Sequence, residues 1–412
     1  MLSDRLLREH PERVRDGLRR RHAGAEAEAT LDGWLALDAE RRELATRRDD
    51  LARTAHSAAY SGEGGREPAE LVDIARTLTD LTARMRELAL RLPNIPDARV
   101  PEGANASSNV ELRRWGEPRT FSFPARSHDE LGTALGVLDL PRATKLAGPR
   151  FPLLVGNGAR LSRSLAALML DLARERGYTE VAPPHLLRAA TLEGTGHLPR
   201  FADELYALRA DDLYLSPTAE AQLVALHASE TFPPTALPLA YAAWTPCFRR
   251  EAGSAGTARR GLLRQHQFDK VELVRIVAPE EADAAFAQMI GDAEAVLRAL
   301  ELPYRVVELC AGELPASAAR GVDLEVWMAA QGLYVEISSI SDCATFQSRR
   351  LELRYRPASG GRARYPHTLN GSALAVGRTI AALLEHNQRA DGSVTLPAAL
   401  RPYLSETELR PD

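Results

Sequence analysis

Apolar residues between positions 31 and 92 follow the periodicity of two helices. The second helix has two heptad series, at Leu71, Leu78, Met85 and Leu92 and at Ile74, Leu81 and Leu88. Together they form the a/d seam of a coiled coil. The first helix has one series, Leu37, Leu44 and Leu51, with Arg41 and Arg48 at the companion positions. Residues 61–65 interrupt the pattern, and Pro68 suits the first turn of the second helix. The pattern predicts an antiparallel helical hairpin.

The rest of the chain has a mixed pattern. Pro93, Pro96 and Pro101, followed by the small and polar residues 103–108, indicate a linker. Beyond it, helical periodicity at 161–176 and 282–299 alternates with strand-like segments at 335–338 and 351–355. We therefore predict two domains, a helical arm with its linker at 1–104 and a mixed domain at 105–412.

Composition narrows the class of protein. A chain of 412 residues with 45% hydrophobic and 26% charged residues can bury more than one core. Its three cysteines are far apart in sequence, which argues against a disulfide framework or a zinc site. The first residues lack the apolar core of a signal peptide, and no apolar run approaches the ~20 residues that span a bilayer. We expect a soluble cytoplasmic protein that has no membrane association.

Three segments combine charged residues with aromatic and small ones. They are 217–220, the stretch from Phe248 to Glu272, and 369–372 followed by Gly377-Arg378. Their arginines can hold phosphate or carboxylate groups, and Phe268 and Arg378 can cover the two faces of a base. The carboxylates of Glu251, Glu272 and Glu336 can bind an ammonium group, an exocyclic amine or Mg²⁺. Without an obvious nucleophile, this set suits phosphoryl or nucleotidyl transfer by positioning and charge stabilisation.

Several motifs carry a resemblance to a known family. They are Gly194-Thr195-Gly196-His197-Leu198-Pro199, Thr218-Ala219-Glu220, Phe248-Arg249-Arg250-Glu251, Arg264-Gln265-His266-Gln267-Phe268 and His367-Thr368-Leu369-Asn370-Gly371-Ser372. In this order and spacing they resemble the bacterial seryl-tRNA synthetases, which are class II aminoacyl-tRNA synthetases. The resemblance extends over the whole chain, from Met1-Leu2 to Arg401-Pro402-Tyr403.

The resemblance implies an α+β fold, in which helices flank an antiparallel sheet of six to seven strands and an N-terminal helical hairpin forms an arm. It also implies a homodimeric aminoacyl-tRNA ligase that activates L-serine with ATP and Mg²⁺ and transfers it to the 3′ end of serine tRNA. The arm would bind the long variable loop of that tRNA, chiefly by shape and backbone contacts.

The resemblance also assigns roles to individual residues. Arg249, Glu251 and Arg378 match catalytic residues. Serine-binding positions are matched by Thr218, Glu220, Arg249, Glu272, Asn370 and Ser372. ATP-binding positions are matched by Arg249, Glu251, Arg264, Phe268, Glu336, Ser339 and Arg378. Of these, Glu336 and Ser339 match the magnesium ligands.

The chain departs from the family pattern in three places. The arm is shorter by about two turns per helix, roughly 10 Å, and its tip lacks lysine. Residues Thr257-Ala258-Arg259 stand where most relatives have Arg-Asp-Thr. Ile340 and Asp342 replace the usual Cys and Asn, and Thr345 replaces an acidic residue. These changes spare the ATP-binding residues and bring tRNA affinity into question. They suggest the hypothesis of a divergent second paralogue that serves self-resistance or a biosynthetic pathway.

Two other functions are compatible with the motifs. One is a ligase that activates serine but delivers the adenylate to an acceptor other than tRNA, and the retained heptads argue against it. The other is a catalytically silent paralogue, and the presence of Arg249, Glu251 and Arg378 argues against that.

Overall fold

The computed structural model describes residues 1–60, 69–252 and 261–411. The predicted interhelical turn at 61–65, Pro68 and the departure at 257–259 lie outside these residues. Contacts divide the chain into two compact units, Met1–Ile95 and Pro96–Asp412. The division falls within the proline-containing segment that we predicted as a linker, and the domain boundary at 104/105 stays a prediction.

The first unit is helical. Its helices are α1 (Asp4–Glu9), α2 (Pro11–Arg20), α3 (Gly24–Tyr60) and α4 (Ala69–Arg91). The predicted seam on α4 is buried at Leu71, Ile74, Leu81 and Met85, whereas Leu44 and Leu51 on α3 are half-buried. Helix α3 begins at Gly24, seven residues before the predicted residue 31, and its buried apolar residues include Leu31 and Trp34.

A buried carboxylate connects the helices of this unit. Asp38 on α3 is 1% exposed and accepts hydrogen bonds from Arg8 on α1, at 2.7 and 2.8 Å, and from Arg41 and Arg42 on its own helix. The hydrogen bonds from Arg8, followed by that from Arg41, lower the pKa of Asp38 to about 2. Asp38 is therefore ionised at neutral pH and connects α1 to α3.

The second unit contains the mixed architecture. Its strands are β1 (Val110–Trp115), β2 (Thr179–Glu180), β3 (Leu186–Arg188), β4 (Ala207–Leu208), β5 (Leu213–Leu215), β6 (Thr231–Phe232), β7 (Leu239–Phe248), β8 (Gln267–Val277), β9 (Tyr304–Glu308), β10 (Arg320–Met328), β11 (Leu333–Asp342), β12 (Arg354–Tyr355), β13 (His367–Ala375), β14 (Val394–Thr395) and β15 (Glu408–Leu409). Its helices are α5 (His128–Ala134), α6 (Leu140–Ala147), α7 (Asn157–Glu175), α8 (Ala189–Thr195), α9 (Glu220–Ala225), α10 (Ala282–Ala299), α11 (Phe346–Arg350) and α12 (Val376–Asn387).

Within the described residues, the large sheet has eight strands in the order β1-β9-β10-β11-β13-β8-β7-β2. Neighbouring strands are antiparallel except for the two-residue β2, which pairs parallel with β7. The sheet is larger than the predicted six to seven strands because short or exposed strands extend both edges, and such strands carry a weak sequence signal.

The central strands have two different faces. Val271 and Leu273 of β8 belong to the main core with α7, α10 and α12, whereas Val274 and Ile276 belong to a second core with α9. Because side chains alternate along a strand, the second face also carries Phe268, Lys270 and Glu272. Polar residues therefore lie on one face of a sheet whose other face is covered by helices.

Most predicted elements of this unit are confirmed. The helical stretches 161–176 and 282–299 are α7 and α10, and 335–338 lies within β11. The predicted strand at 351–355 is wrong except at Arg354–Tyr355. Glu352 has a φ of 52°, a left-handed conformation that ends extended structure, while Leu351 and Leu353 pack into the second core as parts of a turn. Of the described helices, none is long and apolar enough to cross a membrane.

Replacing Asp38 with alanine should lower the free energy of unfolding by about 1–3 kcal/mol, because three arginines lose a shared partner that is buried. Asp32→Ala is the matched control on the same helix, since that carboxylate is 58% exposed and pairs with Arg15 alone; it should change stability by less than about 0.5 kcal/mol. Urea unfolding measures both. Equal losses would show that Asp38 contributes no more than a surface ion pair.

Candidate active site

A cavity of about 700 Å³ opens on the polar face of the large sheet. All the residues predicted for the site lie along its wall: Thr218, Glu220, Arg249, Glu251, Arg264, Phe268, Glu272, Glu336, Ser339, Asn370, Ser372 and Arg378. They come from four separate parts of the sequence, 218–220, 249–272, 336–339 and 370–378. A cavity of this size can enclose a nucleotide and a small second ligand.

Strands β8 and β13 form the floor of the cavity. Alternation places Glu272 of β8 on the polar face, and antiparallel pairing sets it opposite Ser372 of β13. Asn370 lies two residues before Ser372 and therefore shares its face. Between them, Gly371 is paired with Ile340 of β11, and a Cβ at Gly371 would lie 2.6 Å from Ile340 Cγ1. Glycine therefore allows β13 and β11 to approach closely beneath the polar residues.

One end of the cavity contains a buried ion pair. Lys270 Nζ pairs with the Glu272 carboxylate and donates a hydrogen bond to Thr218 Oγ1 at 2.9 Å. Thr218 Oγ1 in turn donates to Glu272 Oε2 at 3.3 Å. Burial raises the pKa of Glu272, and the Lys270 ammonium opposes that rise. The Lys270 ammonium therefore offsets part of the free-energy cost of burying the Glu272 carboxylate.

A second glutamate lies beside this pair. Glu220, the first residue of α9, accepts a hydrogen bond of 2.7 Å from Gln347 Nε2. The same amide nitrogen donates to the Thr195 carbonyl at 3.0 Å, and its oxygen accepts from Thr368 Oγ1 at 2.7 Å. Burial raises the pKa of Glu220. Gln347 fixes the orientation of the carboxyl without supplying a charge.

The other end of the cavity contains arginines and an aromatic ring. The guanidinium of Arg249, which follows β7 directly, lies 5.2 Å from the centre of the Phe268 ring. Arg264 Nε donates to Glu251 Oε2 at 2.6 Å. Arg378, in the first turn of α12, donates to the carbonyls of Leu263 at 3.2 Å and Glu336 at 2.6 Å. These contacts hold the arginines on the cavity wall, where they can bind anionic groups.

An acidic group lies on β10 and β11. Asp323 is paired with Ser339 across the two strands, and a register shift between Leu324 and Glu325 brings Glu336 onto the same face. Burial, followed by the charge of Glu336, raises the pKa of Asp323 well above its usual range. In the part of the chain that the structure describes, the buried Asp323 Oδ1 has no hydrogen-bond partner. Within residues 1–60, 69–252 and 261–411, no cluster of three or more His, Cys, Asp or Glu side chains could hold a metal ion.

His197, Lys270 and Asp323 are among the cavity residues to which the sequence assigned no role. Lys270 lies two residues from Glu272, so strand alternation alone could have placed both on one face. Asp323 lies in the alternating segment Val322-Asp323-Leu324-Glu325-Val326, but only the pairing of β10 with β11 brings it to Ser339. His197 lies within the quoted 194–199 motif without a role. Burial and the nearby Arg249 lower its pKa to about 4.

Comparison with known proteins identifies the family of this chain. A family model described as "tRNA synthetase class II core domain (G, H, P, S and T)" matches residues 205–387. A serine–tRNA ligase from Acidithiobacillus ferrooxidans (strain ATCC 53993 / BNL-5-31) is 50% identical over 416 residues, covering 98% of each chain. Another from Synechococcus sp. (strain JA-2-3B'a(2-13)) is 46% identical over 432 residues, covering 100% of this chain and 98% of the relative. The chain belongs to the seryl-tRNA synthetase family.

Solved structures support the same family. A seryl-tRNA synthetase from Pyrococcus horikoshii, complexed with ATP, superposes with a TM-score of 0.89 at 36% identity and full coverage of both chains. A cytoplasmic serine–tRNA ligase from Naegleria fowleri, in complex with AMP, gives 0.88 at 28% identity, covering 100% of this chain and 99% of that one. The fold and family predicted from the sequence are therefore confirmed, and the roles of individual residues stay predictions.

Three residues that depart from the seryl-tRNA synthetase pattern, Ile340, Asp342 and Thr345, lie in the described part of the chain. The carboxylate of Asp342 accepts a hydrogen bond from the Ala344 amide at 2.7 Å and lies 3.3 Å from His367 Nδ1, and Asp342 does not line the cavity. Ile340 is buried against Gly371, and Thr345 Oγ1 accepts a hydrogen bond from Arg349 Nε at 3.0 Å. These side chains fit local packing and leave the cavity residues in place.

Gly371→Ala should destabilise the protein by about 1–3 kcal/mol and reduce activity, because the new methyl group would force β13 away from Ile340 and displace Asn370 and Ser372. Gly291→Ala is the control: that glycine lies inside α10 with open space around it, and alanine there should stabilise by about 0.5–1 kcal/mol. Thermal unfolding measures both changes. A neutral Gly371→Ala would mean that the two strands can separate without cost.

Proposed function

We propose that this protein activates L-serine with ATP to form seryl-adenylate and then transfers the seryl group to the 3′ end of serine tRNA. The observation that carries the proposal is the convergence of every predicted site residue on one cavity. Membership of the seryl-tRNA synthetase family supports the same reaction.

The ion-pair end of the cavity suits the amino acid. In the proposal, Glu272 and Glu220 take the α-ammonium group, and Thr218, Asn370 and Ser372 surround the hydroxyl. Buried polar groups of this kind reject an analogue without the hydroxyl, because its binding would leave them unpaired. Lys270 favours the charged form of Glu272 and orients Thr218 before the substrate arrives.

The arginine end suits ATP. In the proposal, Phe268 stacks on adenine, Arg378 covers its other face and holds the γ-phosphate, and Glu251 and Arg264 hold the exocyclic amine and a phosphate. Arg249 contacts both the α-phosphate and the serine carboxylate, since it lies beside Phe268 and is near enough to Glu220 and Glu272 for its charge to act on their pKa values. Held in this way, the carboxylate and the α-phosphorus are aligned for attack.

The first step needs little chemistry from the protein. A serine carboxylate oxygen attacks the α-phosphorus, the bond to the β-phosphate oxygen breaks, and pyrophosphate leaves with the electron pair. Arg249 stabilises the charge that develops on the α-phosphate oxygens. A terminal ribose hydroxyl of tRNA then attacks the seryl carbonyl carbon, loses its proton and releases AMP.

The acidic group on β10 and β11 fits a magnesium ion. Mg²⁺ usually binds one or two carboxylates together with substrate phosphates. Glu336 and Ser339 were predicted as its ligands, and we add Asp323, whose unpartnered buried oxygen lies beside them. When bound, Mg²⁺ supplies positive charge to the phosphates.

The helical unit Met1–Ile95 is proposed to bind the variable loop of serine tRNA, and the protein to act as a homodimer in the cytoplasm. The two alternatives are not favoured, because relatives that match nearly full length are serine–tRNA ligases and the arginines remain on the cavity wall. The hypothesis of a second paralogue stays a prediction.

The direct test is serine-dependent ATP–pyrophosphate exchange, measured beside charging of serine tRNA with the same preparation. We expect both activities, with alanine supporting exchange at least about 100-fold less efficiently than serine, because it leaves hydroxyl partners unpaired. Arg249→Ala should lower exchange by about 100-fold or more by removing charge stabilisation.

The other outcomes are informative. Exchange without charging would favour delivery of the adenylate to a different acceptor. Absence of exchange with serine would overturn the assignment of Thr218, Glu272 and Ser372 to the amino-acid pocket.

Asp323→Asn should raise the Mg²⁺ concentration that half-saturates exchange by about tenfold, because one anionic oxygen is lost from the metal site. Glu325→Gln is the matched control two residues along β10: its carboxylate pairs with Arg305 and does not line the cavity. Magnesium titrations at saturating ATP and serine compare the two. Equal shifts would exclude a specific role for Asp323.

A further inference from the structure

A buried histidine–glutamate pair lies outside the cavity and has no role in the mechanism above. His128 is the first residue of α5 and is 2% exposed, and Glu385 lies in α12 and is fully buried. Burying this pair is costly unless its polar atoms are satisfied. Its hydrogen bonds lead to a segment that forms part of the cavity wall.

The hydrogen bonds of His128 define its tautomer. The backbone amide of Leu262 lies 3.1 Å from His128 Nε2, and because an amide N–H can only donate, Nε2 must be an unprotonated acceptor. Nδ1 therefore carries the proton and donates to Glu385 Oε1 at 2.8 Å. Glu385 also accepts from the backbone amides of His128, at 3.1 Å, and Ala330, at 3.0 Å. The imidazole is thus neutral and oriented by the carboxylate.

Leu262 begins the stretch that lines the ATP end of the cavity. Its carbonyl accepts from Gln265 Nε2 at 2.6 Å, and the next carbonyl, of Leu263, accepts from Arg378 Nε at 3.2 Å. Arg264 follows and pairs with Glu251. Helix α12 therefore holds this stretch twice, directly through Arg378 and, two turns later, through Glu385 and His128.

The close approach of the imidazole is supported by the residue before Leu262. Gly261 has a φ of +63°, and a Cβ there would lie 2.3 Å from His128 Nε2. Both its conformation and the available space require glycine. The contact between His128 and Leu262 therefore depends both on the orientation of the imidazole by Glu385 and on the glycine at position 261.

We propose that His128, oriented by Glu385, is a positioning residue for ATP: its Nε2 fixes the Leu262 amide and thereby sets the position of Arg264 and its neighbours on the cavity wall. The inference rests on the proposed function and adds a residue remote from the substrate. It also explains why a neutral imidazole, with a donor on one nitrogen and an acceptor on the other, occupies this site.

Two substitutions of His128 test the roles of its two ring nitrogens separately. His128→Gln keeps an acceptor near the position of Nε2 and loses the donor at Nδ1, whereas His128→Asn keeps a donor near Nδ1 and loses the acceptor. In the exchange assay, the His128→Asn variant should have a KM for ATP about tenfold higher than the wild type. Its kcat and its KM for serine should stay within about twofold of the wild-type values. For the His128→Gln variant, kcat and the KM values for ATP and for serine should all stay within about twofold of the wild type.

A second measurement does not depend on activity. Hydrogen–deuterium exchange at the Leu262 amide should accelerate about tenfold or more in His128→Asn, since its acceptor is gone, and little in His128→Gln. If Asn and Gln behave alike in both measurements, His128 serves packing alone and the proposal is wrong.

The wild-type protein provides a test that needs no folded variant. The ¹⁵N chemical shifts of His128 should report a protonated Nδ1 and an unprotonated Nε2 at neutral pH; an imidazolium or the opposite tautomer would overturn the proposal. If the wild type shows no serine-dependent exchange, the proposed function fails, and calorimetric titration with ATP then decides the role of His128 in the same variants.

Discussion

The site depends on the alternation of side chains along the antiparallel strands. Val271 and Leu273 face helices on one side of β8, so Lys270 and Glu272 necessarily face the other. Strands β10, β11 and β13 add polar residues from distant parts of the chain to the same surface, with register shifts in the pairing of β10 with β11 and of β13 with β8. A shift of one residue in β8 would send Glu272 into the helical core and Val271 into the cavity. The free energy of core packing therefore also fixes the chemistry of the site.

The acidic side chains of the cavity differ in whether a cationic side chain lies beside them. Lys270 partners Glu272, and Arg264 partners Glu251, whereas Glu220 relies on the neutral amide of Gln347. Asp323 and Glu336 lie close together on β10 and β11. Glu336 also pairs with Arg378, 3.4 Å away, whereas the buried Asp323 Oδ1 has no hydrogen-bond partner among the described residues. A buried acidic group without a partner costs stability, and it is retained where a cation offsets the cost. The unpartnered oxygen of Asp323 therefore favours the proposed metal site.

Much of the architecture could be predicted because local signals and tertiary structure agree. The heptads of α4 and the periodicity of α10 come from continuous buried stripes, and both helices have the predicted positions. The strand predicted at 351–355 was mostly wrong. Apolar residues alternate there as in a strand, yet Leu351 and Leu353 reach their core through a turn at Glu352. Spacing alone did not reveal Asp323 or His128, since their partners lie across a strand pair or on another helix. The predicted site residues converge because family motifs record positions that are close only after folding.

The pairing of Lys270 with Glu272 has a consequence for selectivity toward the overall charge of a ligand. In the proposed pocket the ammonium of the substrate meets Glu272 and Glu220 while its carboxylate meets Arg249. A zwitterion therefore adds no net charge to a site already neutralised in part by Lys270. An amino alcohol would bring an uncompensated positive charge, and a hydroxy acid an uncompensated negative one, into a region of low polarisability. If the proposed roles hold, the pocket selects ligands by charge type before it selects among amino acids by shape.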